Sequence, residues 1–309
     1  MTMLITNVGI LGLGKNAHNV AHGVVLARDA RLKAVGSNNL DEAQAFVSNY
    51  DGVRAYGSYI ELLQDPDVDL IYITKTDEDQ KSLIKLCLDY HKNVLCEYLF
   101  LNGVAEVEEM YAYAKEKNCF LMEDQTVSIT PLNRKINRMI RTGIIGQIKV
   151  IDITYAVKLE NKHEGVMKEV AIYPLTYTNL IANSSIKSIQ VSSVERNDEG
   201  LDLSADIKVS YENDLIANIH LSTHENIKNF AIINGKRGRI ITENYWDAET
   251  SNIIIGVDIM PLSERKEDRY ESIIEHASVC VLNGLAVSPV YGLNESLQVA
   301  KVIDAVKNY

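Results

Sequence analysis

Residues 5–27, ITNVGILGLGKNAHNVAHGVVLA, constrain the fold more than any other stretch. A β-branched run enters a glycine-punctuated turn and leaves it as a helix-period segment, which spells strand, turn, helix. The spacing Gly12-x-Gly14-x-x-Ala17 is the permitted G-x-G-x-x-A form of the dinucleotide fingerprint. Gly12 allows the tight turn, Gly14 lets the backbone approach a pyrophosphate, and Ala17 lets the helix lie close to the strand. Lys15 and Asn16 fall inside the loop, where free N–H groups at the helix start aim at an anion and the Lys15 charge can attract a phosphate. A second strand, RLKAVGS, completes a βαβ unit. The alternative is a glycine-rich turn that holds no ligand.

The alternation continues. DEAQAFVSNY, GSYIELLQ, EDQKSLIKLCLDY and VAEVEEMYAYAKEKN read as helices, and VDLIYIT, NVLCEY and CFLMED as buried strands. Strands alternating with helices predict an α/β fold with a doubly wound parallel Rossmann sheet, whose ligands bind outside the carboxyl ends of the strands. Ser37, Asn38 and Asn39, then Thr74, Lys75 and Thr76, then Glu97 and Tyr98, and finally Glu123 are thereby placed on one rim facing the cofactor crevice. Beyond Glu123 the texture changes to a helix and then long alternating runs (VIDITYAV, SIQVSSVER, LSADIKVSYE, LIANIHLSTH, NFAIINGKRGRIIT, SNIIIGV). These predict an open, mainly antiparallel sheet with flanking helices, so the domains are 1–123 and 124–309.

At 309 residues with 46% apolar content, the chain can bury a sizeable core in each of two domains. Its net charge of −11 repels phosphate backbones and anionic lipid, which argues against nucleic-acid and membrane partners. Cys87, Cys96, Cys119 and Cys280 sit in apolar runs without a C-x-x-C pair, as expected of reduced core thiols in a cytoplasmic protein. The N-terminal run has no charged leader and passes directly into a strand, so no export signal is expected. His18 and His22 share one helix face without a third ligand, and no metal is expected.

The blocks NVGILGLGKNA, GSYIELLQDPDVDLIYI, HKNVLCEYLF, RTGIIGQIKV, EGVMKEVAIYPL, NGKRGRIIT and VSPVYGLNESLQVAKVIDAV fall in the order and spacing of one family. The chain resembles the glucose-fructose oxidoreductase / inositol dehydrogenase / MocA (Gfo/Idh/MocA) family, most of all its dihydrodiol-dehydrogenase-like branch. The resemblance implies a Rossmann domain followed by an α/β domain whose open sheet mediates dimerisation. It further implies hydride transfer between NAD or NADP and a hydroxyl-bearing carbon of a sugar, polyol or dihydrodiol. The family's Glu-Lys-Pro motif reads Glu97-Tyr98-Leu99 here, and its loop proline and histidine are Thr76 and Gln80. A neutral phenol donates or relays a proton where a lysine would also favour a developing alkoxide. By the resemblance the catalytic residues are Tyr98, Tyr173 and Glu169, the last a substrate-binding carboxylate. Ser37-Asn38-Asn39 supplies neither the acid that binds a ribose diol nor the arginine that accepts a 2′-phosphate, and the missing arginine favours NAD. The accumulated departures also admit a member that binds ligand without turnover, as sensor or scaffold.

Overall fold

The apolar strand runs become strands covered on both faces: Val8, Ile10 and Leu11, like Leu70, Ile71, Tyr72 and Ile73, have 0% exposure in the computed structural model. The structure describes residues 4–74, 79–97, 103–159, 164–265 and 267–309. The chain divides into two compact units, unit 1 comprising Met1–Phe100, Ala105–Thr126 and Glu267–Ser296, and unit 2 Leu101–Val104, Val127–Lys266 and Leu297–Tyr309.

Along the first 126 residues run β1 (Thr6–Leu11), α1 (Ala17–Leu26), β2 (Ala30–Gly36), α2 (Leu40–Val47), β3 (Arg54–Tyr56) and α3 (Tyr59–Gln64). They are followed by β4 (Leu70–Ile73), α4 (Gln80–Asp89), β5 (Asn93–Cys96), α5 (Val104–Glu116) and β6 (Leu121–Glu123). The six strands form one parallel sheet in the order β3-β2-β1-β4-β5-β6. Its order reverses between β1 and β4, the switch point where doubly wound sheets bind ligands. Strand β3 has three residues, too few for periodicity to reveal, and it forms because Ala34–Gly36 of β2 offers it a ladder. The helices start where their caps dictate: Asn39, Ser58 and Asp79 each accept a first-turn N–H of α2, α3 or α4.

Unit 2 contains α6 (Pro131–Arg141), β7 (Ile148–Ala156), α7 (Val166–Glu169), α8 (Ile172–Ala182), β8 (Ile186–Arg196), β9 (Asp202–Tyr211) and β10 (Ile216–Ser222). Then come β11 (Phe230–Gly235), β12 (Arg239–Glu243), β13 (Thr250–Ile255) and β14 (Asp258–Ser263). The sheet order is β14-β13-β12-β11-β7-β10-β9-β8, with only β7 and β10 parallel, as the mainly antiparallel reading expects. The run NFAIINGKRGRIIT is a hairpin rather than one strand, closed by Gly235 N–H donating to Gly238 C=O at 2.9 Å. Strand β14 was not anticipated, because Pro261 argues against a strand; it is tolerated there because β14 is an edge strand.

After β14 the chain returns to unit 1, whose residues 267–296 include all of α9 (Arg269–Leu282), before α10 (Leu293–Lys307) ends it. A single cut near residue 123 therefore leaves out this return. Helix α9 crosses α1 at Gly23, where an added Cβ would lie 2.4 Å from Cβ of Tyr270. Close approach is what lets α9 bury Ile273, Ile274 and Ala277. All four cysteines are buried and free of disulfides.

Candidate active site

The glycine turn of unit 1 is held by one backbone strap and one hydroxyl. Gly12 has φ 87°, a region open to glycine but rarely to L side chains, and its N–H donates to Gly36 C=O at the end of β2 (3.0 Å). Thr74, buried just past β4, accepts the Gly14 N–H at 3.1 Å and donates to Gly12 C=O at 3.1 Å. One hydroxyl thus fixes both glycines against the strand across the switch point. Ala17 is 2% exposed and packs the helix start as the fingerprint requires.

Helices α2, α3, α4 and α9 close their N-termini with their own cap side chains, but α1 does not. Its cap residue Asn16 turns its amide away and donates Nδ2–H to Glu97 Oε1 at 3.2 Å. The first turn of α1 keeps its N–H groups without a side-chain cap and carries no acidic residue, while Lys15 stands exposed beside it. That donor set fits a pyrophosphate: amides at a positive helix end, next to a glycine turn that admits close approach.

Across the rim, Glu97 is buried, and its N–H donates to Ile73 C=O at 3.3 Å. Gln80, where the family carries histidine, donates its side-chain amide to the Glu97 carbonyl, so α4 pins the backbone just before position 98. Tyr98, Lys75 and Thr76, with Leu99, lie outside the described residues. Glu123 departs from the reading that set it facing the crevice. It has 0% exposure, both carboxylate oxygens lack a hydrogen-bond partner among the described residues, and burial pushes its pKa well above the glutamate range, tempered by Ser296 and Gln125. Next to it Tyr72 donates to Asp124 Oδ2 at 2.5 Å.

In unit 2, Tyr173 sits in the first turn of α8, half-buried, with its ring stacked on Tyr155 of β7 at 5.4 Å and 14°. Trp246 tilts against both rings, 4.4 Å from Tyr155 and 6.3 Å from Tyr173. The neighbouring Tyr177 and Tyr245 are fully buried, so the cluster runs from core to surface and Tyr173 marks its outer part. Glu169, at the end of α7, accepts the Glu164 N–H at 3.2 Å. Met167 N–H is taken by Asp202 at 2.8 Å, which fixes this short helix on β9.

Two family models match the chain: an oxidoreductase family with an NAD-binding Rossmann fold over residues 6–125, and the Gfo/Idh/MocA C-terminal domain over residues 133–241. The chain belongs to the Gfo/Idh/MocA oxidoreductase family. The trans-1,2-dihydrobenzene-1,2-diol dehydrogenase of Xenopus tropicalis is 29% identical over 322 residues, 97% of each chain. The fold is also that of the aldose-aldose oxidoreductase from Caulobacter crescentus complexed with glycerol (TM-score 0.88, 19% identity, 98% of this chain and 97% of that one). A 3-ketoreductase from Actinomadura kijaniata in complex with NADP has it too (TM-score 0.84, 20% identity, the same coverage).

Within this oxidoreductase, hydrogen bonds tie Gly12 and Gly14 to Thr74, Ala17 to Gly14 and Asn16 to Glu97 at the carboxyl ends of the strands, while Ser37 bonds Asn39 and Tyr56, Asn39 caps α2 and Asn38 lies exposed beside it. Sequence reasoning passed over Glu42, whose Oε2 accepts the Ser37 hydroxyl at 3.3 Å. The local signal, the capping-box spacing Asn39-x-x-Glu42, points Glu42 at the Asn39 N–H and not at Ser37. His18 packs on Phe46 (ring centroids 4.2 Å apart), and among the described residues no group of three His, Cys, Asp or Glu can hold a metal ion. Nor is any helix among them long and apolar enough to cross a membrane.

Proposed function

We infer that this family member moves hydride between a nicotinamide dinucleotide, NAD in preference to NADP, and a hydroxyl-bearing carbon of a sugar, polyol or dihydrodiol. The observation that carries the reading is the strapped glycine turn in front of an α1 whose cap side chain is spent on Glu97. The turn and the first turn of α1 hold the pyrophosphate, with Lys15 adding charge, and the Ser37–Asn39 corner receives the adenosine ribose. Thr74 and Glu97, with Lys75 and Thr76 from the sequence, line the route toward the nicotinamide. The bound nicotinamide supplies the hydride acceptor or donor. Tyr98, in the family's lysine position, and Tyr173 move the hydroxyl proton, and Glu169 accepts a substrate hydroxyl. Tyr155 stacks on the Tyr173 ring and Trp246 tilts against it, packing that supports a positioned proton carrier. The relatives named as dihydrodiol dehydrogenases support the substrate class. We further propose a cytoplasmic homodimer joined through the open sheet of unit 2, with neither nucleic acid nor membrane as partner, in keeping with the −11 charge.

Titrating the protein with NADH and NADPH, followed by nicotinamide fluorescence and thermal shift, tests the reading. Saturable micromolar binding is expected, and absence of binding of either nucleotide at millimolar concentration overturns it. Tyr173→Phe is expected to lower kcat on the best substrate of a polyol and dihydrodiol panel by about 100-fold, with nucleotide affinity unchanged.

A further inference from the structure

Strand β2 ends at Gly36, whose carbonyl is tied to the Gly12 N–H at 3.0 Å, so the corner that follows lies beside the glycine turn. In a dinucleotide-binding sheet an acid at this corner takes the ribose diol. No acid stands at 37–39. The structure brings one from elsewhere. Ser37 is 6% exposed, and its Oγ accepts the Asn39 N–H at 3.2 Å and donates to Glu42 Oε2 at 3.3 Å. A capping box would turn the Glu42 carboxylate back to the Asn39 N–H, but that N–H is already given to Ser37. Glu42 is therefore drawn out of the helix terminus to the strand end, while Asn39 alone caps α2 by accepting the Asp41 and Glu42 N–H groups. Its side chain is otherwise exposed, leaving the carboxylate open to a ligand.

Asp41 lies next to Glu42 in the same turn. Lys33 of β2 is engaged by Asp67 (3.5 Å), and Arg54 of β3 by Asp65 (2.8 Å) and by Asp67. We propose that the Glu42 carboxylate, held at the carboxyl end of β2 by Ser37, selects a dinucleotide with a free adenosine-ribose diol over its 2′-phosphorylated form. The carboxylate accepts hydrogen bonds from the diol, whereas a phosphate monoester in its place meets a like charge. This assignment rests on the cofactor reading above and deepens it by naming the selecting group.

The experiment is a pair of fluorescence titrations, NADH and NADPH, on the wild-type protein, on Glu42→Gln, and on Glu61→Gln as a control that removes the same charge from the first turn of α3. The wild type is expected to bind NADH at least about tenfold more tightly than NADPH. Glutamine keeps the shape and can still accept from a hydroxyl, so Glu42→Gln should hold NADH within a few-fold while drawing NADPH to within about threefold of it. Added salt should narrow the wild-type gap and leave that of Glu42→Gln unchanged. Equal wild-type affinities, or a ratio that Glu42→Gln leaves where it was, overturn the assignment while the cofactor reading stands. A ratio that Glu61→Gln narrows equally reduces the effect to net charge and also overturns it. Failure of both nucleotides to bind removes the cofactor reading and the assignment together.

Discussion

At the scale of single residues, Thr74 and Glu123 illustrate how position sets chemistry. Threonine at the end of β4 serves as a clasp because its hydroxyl both donates to Gly12 and accepts from Gly14. Thr74→Val keeps the shape and removes both bonds, leaving backbone groups of the turn unpaired. The expected cost is about 1–3 kcal/mol by chemical denaturation, with weaker NADH binding, and Thr74→Ser should recover both. Glu123 is the opposite case, a fully buried carboxyl with no counter-charge acting on it among the described residues. Below about pH 4.3 it is protonated in the folded and unfolded chain alike, and nothing is lost. Above that the unfolded chain releases the proton while the folded protein, its pKa raised by burial, retains it. Stability therefore falls as pH rises toward the folded pKa. Glu123→Gln, neutral at every pH, should raise the thermal midpoint at pH 8 more than at pH 5; an equal change at both would show that Glu123 is not protonated in the folded state.

Among the elements, α1 carries two duties that conflict in ordinary helices. Its N-terminus gives up the side-chain cap that α2, α3, α4 and α9 have, and its middle gives up a side chain at Gly23 so that α9 can cross. Tertiary contact, rather than helix propensity, holds it. In isolation Gly23→Ala would favour α1 by about 0.5–1 kcal/mol through propensity. In the protein the new methyl meets Tyr270 and the backbone of Glu271 within 2.8 Å, so a net loss of about 1–3 kcal/mol is expected in urea unfolding. A stabilised variant would mean that α9 does not cross there. The same crossing explains why the return of residues 267–296 to unit 1 could not be read from the chain. RYESIIEHASVCVL announces an apolar helix face, started by Asp268 accepting the Tyr270 and Glu271 N–H groups, but nothing local says which sheet it covers.

For the whole molecule, pH should act in one direction above neutrality. His220 is disfavoured as a cation by burial, yet its bonds to Asp206 (2.8 Å) and Glu225 (2.6 Å) outweigh that and raise its pKa. Its contribution is complete below the unfolded histidine value of about 6.5 and is lost as pH rises through the raised folded one. This adds to the Glu123 effect and to the self-repulsion of an acidic chain. On the acid side, Glu109, lowered to about 2 by Lys81 and Lys85, gives a contribution that is complete above the unfolded glutamate value of about 4.3 and is lost as pH falls from there through the folded one. The fold and its glycine turn were legible in the sequence, because glycine spacing, strand period and helix period are local properties written over a few residues. Gly12, Gly14, Ala17 and the alternating strands announce a dinucleotide sheet unaided, and the ordered blocks announce the family. Tertiary structure alone decided that Glu42 reaches Ser37, that Glu123 is sealed from water, that Tyr173 stacks on Tyr155, and that α9 returns to α1. Each of these depends on side chains brought together from separate elements and on how much water is left around them, and no local pattern encodes either.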